Sequence, residues 1–78
     1  MLMNTEIIKS QIIAALSHPE AEQGLYLDNL LYVHEDEERP LVDAEQEDVL
    51  ECLKDLIGEG KVKMDDEGEK IIFILLPS

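Results

Sequence analysis

The chain has 78 residues, enough for one domain with a single modest core, and its 45% hydrophobic content is too high for full disorder. Nineteen acids against six bases leave a net charge of −13, which repels polyanions such as DNA. The longest apolar run, Ile71–Leu76, is six residues against the roughly 18 of a bilayer span, and the lone Cys52 excludes an internal disulfide and a multi-cysteine zinc site.

No basic segment followed by a long apolar stretch is read at Met1-Leu2-Met3-Asn4, so no secretory signal is expected. A cytoplasmic protein that does not enter a membrane follows from these points as an expectation. The charge is unevenly spread: residues 35–59 hold eleven acids with only Arg39 and Lys54 against them. Acidity of this kind serves solubility as readily as recognition.

A first helix is expected from Thr5 to Ser17, capped by Asn4 or Thr5. Ile8, Ile12, Ala15 and Leu16 fall on one arc of a helical wheel, with Ile7 and Ile13 on its flanks. Ser17-His18-Pro19 ends it, because the residue before proline avoids the helical region. After a polar loop, Leu25-Tyr26-Leu27 reads as a very short strand. Asp28 then caps a second helix over Asn29–Glu38, with Leu27, Leu30, Leu31 and His34 on one side, and Arg39-Pro40-Leu41-Val42 forms a connection. Asp43 caps a third helix reaching Ile57, with Gln46 at the reciprocal position of a capping box. Gly58 and Gly60 both suit a left-handed stop. Val62 and Met64 alternate with Lys61 and Lys63 as in a half-buried strand. Asp65-Asp66-Glu67-Gly68 reads as a four-residue turn, and Lys70–Leu76 as the returning strand, which pairs Met64 with Glu69 and Val62 with Ile71.

The stretch Val49-Leu50-x-x-Leu53-x-x-Leu56-Ile57, running through Gly58-Glu59-Gly60-Lys61-Val62 into a hairpin that ends in Ile71-Ile72-Phe73, resembles the winged-helix superfamily. The order of elements along nearly the whole of residues 1–78 resembles it too. The resemblance implies an α+β fold: three helices followed by a two-stranded β-hairpin wing, with a short strand before the second helix. It also implies that the third helix is the recognition helix. Winged helices serve both as DNA readers and as protein-interaction modules, so the fold alone assigns neither role.

The outer arc of the third helix departs from the DNA-reading pattern. Glu47, Asp48, Glu51 and Asp55 share it with one base, Lys54, whereas base readout and phosphate contact need donors and a cationic frame. These four acids are the candidate surface for a basic protein partner. On the hairpin, alternation puts Val62, Met64, Ile71, Phe73 and Leu75 on a core face and Lys61, Lys63, Lys70, Ile72, Ile74 and Leu76 on the other. That second face is a candidate surface for a partner or a second copy, and Met1-Leu2-Met3 is the alternative cover for it. A weak homodimer is therefore expected.

No catalytic arrangement can be singled out around His18, His34 or Cys52. His34 with Glu35 and Glu38 at helical spacing makes at best a weak cation site, and Cys52 reads as a small boundary side chain. So small a core leaves little room for a pocket of several hundred Å3, and no enzyme, cofactor or metal is expected. The leading reading is an accessory or regulatory protein-interaction module. A DNA-binding regulator that uses a dimer and the wing lysines, and an acidic mimic of DNA, stand as alternatives.

Overall fold

A computed structural model of the chain describes residues 5–68 and 70–77. Helix α1 spans Thr5–Leu16, a 3-10 helix spans Pro19–Ala21, α2 spans Leu27–Leu31, α3 spans Gln46–Gly58, and strands β1 and β2 span Val62–Glu67 and Lys70–Leu75. The fold class is the one expected: helices first, then an antiparallel hairpin, in an order consistent with a winged helix. Ile8, Ile12, Ala15 and Leu16 of α1 are buried against Val49, Cys52, Leu53 and Leu56 of α3, and Leu30, Val62 and Phe73 complete the centre of the core. A helical wheel puts Val49, Leu50, Leu53, Leu56 and Ile57 of α3 toward the core and Cys52 at the edge of that arc, and the buried face is turned slightly from it. Cys52 lies inside the core, while Leu50 and Ile57 are only half-buried.

Helix α2 is the largest departure. It stops at Leu31, where the expected helix continued to Glu38. It also starts without Asp28 as its cap, since the Tyr26 amide donates to the Asn29 Oδ1 at 3.1 Å. The early stop has a clear cause in Arg39, whose residue is only 4% exposed. Its Nε and Nη2 donate to the Asn29 carbonyl at 3.1 and 2.9 Å, and Nη2 also donates to the Tyr32 carbonyl at 3.2 Å. The Leu30 carbonyl accepts from Val42 N–H at 2.9 Å, and the His34 amide donates to Glu37 Oε1 at 2.9 Å. Carbonyls and an amide that a longer helix would join to each other are thus already engaged. On its other side, Arg39 Nη1 donates to Glu37 Oε2 and to Glu20 Oε1, the latter at 3.2 Å. Glu20 in turn accepts the amides of Glu38 and Arg39 at 2.9 and 3.2 Å. Each of the five guanidinium donors has an acceptor.

Helix α3 begins at Gln46 without the capping box expected at Asp43. The Asp43 amide instead donates to Gln11 Oε1 of α1 at 3.1 Å. The other end follows expectation at Gly60 (φ +78°). There Lys61 N–H donates to the Leu56 carbonyl at 2.9 Å and Gly60 N–H to Ile57 at 3.1 Å, the paired closure that a left-handed residue permits.

The expected strand at Leu25–Leu27 is reduced to one bridge, Leu25↔Phe73, because Leu27 is already helical. Gly24 precedes it with φ +95°, and a Cβ there would lie 2.2 Å from Ile72 Cγ2. The hairpin register differs from expectation. Val62 pairs with Leu75 and Met64 with Phe73, and the ladder runs on to Glu67↔Lys70. The expected partner Glu69 lies outside the described residues, as do Asn4 and Met1–Met3. The slip is by an even number, so each side chain keeps its expected face. Val62 and Phe73 are buried, but Met64 and Ile71 on the same face are 50% and 42% exposed.

Three outcomes test the roles of Gly24, Arg39 and the carboxylates around it. Gly24→Ala should destabilise the fold by at least about 1–2 kcal/mol, since both the left-handed backbone and the close approach of Ile72 oppose a side chain. Urea unfolding reads this directly. Arg39→Ala should cost about 3 kcal/mol, the lower end for a broken buried pair because Glu20 and Glu37 can rehydrate. Bonds from the Glu38 and Arg39 amides and from the guanidinium hold the Glu20 carboxyl below the usual range, and the guanidinium does the same to Glu37. Their contribution is complete above the ordinary carboxylate pKa of about 4 and fades as pH falls through the lowered folded values. In thermal melts, the stability gap between the wild type and Glu20→Gln/Glu37→Gln should be constant near neutral pH and close in acid.

Candidate functional site

Helix α3 presents the acids as the wheel placed them. Glu47, Glu51, Lys54 and Asp55 are exposed and Asp48 is half-buried. The acids nearest the start of the helix, Glu47 and Asp48, lie where the positive end of the helix dipole favours them. Toward the other end, α1 supplies a cation that sequence reading did not connect with this face. Lys9 Nζ bonds Glu59 Oε2 at 2.9 Å and lies 3.7 Å from Asp55 Oδ2. Lys61 Nζ lies 3.4 Å from Glu59 Oε1. The bond from Lys9, followed by that from Lys61, lowers the Glu59 pKa, and the Glu59 bond chiefly raises that of Lys9. Lys54 lies 3.9 Å from Glu51, one turn away, with both side chains largely in solvent, so that pair carries little. The charge at Asp55 is thus answered from within the molecule, and the face is most acidic over its first two turns.

The bases are distributed accordingly. Arg39 is buried, and Lys9, Lys54 and Lys61 face carboxylates. Among the described residues, Lys63 and Lys70 make no ion pair, and Lys70 Nζ lies 5.0 Å from the centroid of the Tyr26 ring. On the outer face of the hairpin, Lys61, Lys63 and Lys70 are exposed, and Ile72, Ile74 and Leu76 are half-buried. Gly24 lies against Ile72 and Ile74, so the segment before α2 covers part of the surface expected to meet a second copy. The alternative cover, Met1–Met3, lies outside the described residues.

Between α2, α3 and β2 lies an open cleft of about 450 Å3, lined by Tyr26, Leu27, Leu50, Lys70, Ile71 and Phe73, with Asp28 and Asn29 also on its walls. Sequence reasoning missed this cleft because it asked whether a pocket fits inside the core. The cleft instead lies between elements. The available signals were β2, which is apolar on both faces, and Leu50 at the margin of the apolar arc of α3.

His34, Glu35 and Glu38 do not lie at helical spacing, since the chain beyond Leu31 is not helical. Among the described residues no three His, Cys, Asp or Glu side chains converge on one point. Cys52 is buried with Sγ 3.9 Å from the Thr5 carbonyl, and burial pushes its thiol pKa up, away from nucleophilic reactivity. Among the described residues no helix is long and apolar enough to cross a membrane. Set against known proteins, the chain matches no family, no curated protein and no solved structure.

Replacing Glu47, Asp48, Glu51 and Asp55 together by alanine should change the unfolding free energy by no more than about 1 kcal/mol. Lost dipole contacts and the Lys9 contact oppose the relief of repulsion in a −13 chain. Chemical denaturation checks it, and loss of the folded state would show that the face is structural.

Proposed function

We propose that the domain is a non-enzymatic protein-interaction module that presents the first turns of α3 to a basic partner protein. The observation that carries this reading is the charge of that surface. Glu47, Asp48 and Glu51 occupy it, while four of the six bases are buried or turned toward carboxylates of the same molecule. A duplex reader needs several cations facing one way, because phosphate neutralisation supplies most of its non-specific affinity. Lys63 and Lys70 on the hairpin are too few to frame an acidic helix against a backbone of phosphates.

Fluorescence anisotropy with duplex DNA at low salt tests the reading. No saturable binding is expected. In parallel, wild-type protein used as bait should retain a basic protein that Glu47→Lys/Glu51→Lys bait loses. Tight duplex binding that weakens steeply with added salt would overturn the proposal in favour of a DNA-binding regulator.

A further inference from the structure

The cleft between α2, α3 and β2 carries an inference that rests on the reading above and makes it more specific. Its wall is apolar: Leu27, Leu50, Ile71 and Phe73, with the Tyr26 ring at one end. The apolar surface continues beyond it. Ile71 is 42% exposed, and Met64, one pair further along the same face of the hairpin, is 50% exposed. In a hairpin face these two would ordinarily be buried. The surroundings are acidic. Asp28 lies on the wall, Asp66 is paired with Ile71 across the ladder, and Glu47 precedes Leu50 by one helical turn. The one base present, Lys70, is placed over the Tyr26 ring.

A second copy of the chain is a poor occupant, because two surfaces of a −13 protein would meet at an acidic rim. A small apolar ligand is also a poor one, since such sites enclose most of the ligand and this cleft is open along one side. An apolar floor between acids suits a helix with leucine-like residues on one side and lysine or arginine beside them, laid into a groove. We propose that this cleft receives the apolar side of a basic amphipathic helix of the partner protein, with Leu50, Ile71 and Met64 as its contacts and Asp28, Glu47 and Asp66 facing its cations.

Two synthetic peptides of about 14 residues, long enough for anchors at i, i+3, i+4 and i+7, separate this inference from its parent reading. One is a leucine/lysine amphipathic helix, and the other keeps every lysine and replaces each leucine by glutamine. In a titration followed by amide NMR, the leucine peptide should move the signals of Leu27, Leu50, Lys70, Ile71 and Phe73. It should bind about tenfold or more tightly than the glutamine peptide, the change expected from burying one or two leucines. Met64→Ser/Ile71→Ser should remove that advantage without loss of folding, since both residues are exposed. Equal affinities, with shifts at Glu47, Asp48, Glu51 and Asp55 and none at Leu27, Ile71 or Phe73, would overturn the cleft and leave the acidic-face reading standing. Binding of the leucine peptide that ignores the double substitution would also overturn the cleft. Failure of both peptides to bind would overturn both readings. Cleft signals that move on dilution of the protein alone would assign the cleft to a second copy and overturn the inference.

Discussion

The fold turns on one cation. Arg39 is the single arginine of the chain, and its guanidinium is shared among the end of α2, the loop after it and the 3-10 helix. Asn29 and Tyr32 give it carbonyls, and Glu20 and Glu37 give it carboxylates. A group with five donors in a fixed plane can organise an irregular segment that has few hydrogen bonds of its own. In a protein with so large an excess of acid, it does so where negative charge is densest. The run from His34 to Glu38 is therefore more than a solvated surface. Glu37 turns inward to the guanidinium, and the Glu38 amide is held by Glu20.

This explains which parts of the structure were legible in the sequence. Helices α1 and α3 were, because their apolar residues repeat with helical period and bury where the period puts them: Ile8, Ile12 and Leu16 in one, Val49, Leu53 and Leu56 in the other. Gly60 stops α3 where only a positive φ will serve. The faces of the hairpin were legible although its register was not, since alternation decides the face and the turn decides the register. Arg39 was not legible. A lone arginine after four acids reads as a surface charge, and only the folded chain brings Glu20 and two carbonyls of α2 around it. The helix expected through Glu38 failed for that reason, since local periodicity has no knowledge of an acceptor that a distant residue will occupy.

Of the candidate site, composition made the acids visible and hid their neighbours. Lys9 lies far from Asp55 and Glu59 in sequence, yet it answers both. Its effect is to narrow the exposed acidity to the start of α3, beside the apolar cleft. Recognition by such a surface draws on two different physical terms. In the proposed docking, charge would bring a basic partner near and orient it, while buried apolar area would hold it once docked. A partner that offered charge alone would arrive quickly and leave quickly.

The bridge between Leu25 and Phe73 joins the hairpin to the segment that enters α2. Phe73 N–H donates to the Leu25 carbonyl at 2.8 Å, and Leu25 N–H returns to Phe73 at 3.0 Å. Both residues are buried. Strand β2 therefore has a neighbour on each side, one from its own hairpin and one from the loop that enters α2. A two-stranded hairpin alone is marginal in water, and this pair couples its opening to that of the helical half. Slow hydrogen exchange at the Phe73 amide is the corresponding signature. The hairpin is therefore expected to open together with the helical half, not as a separate unit.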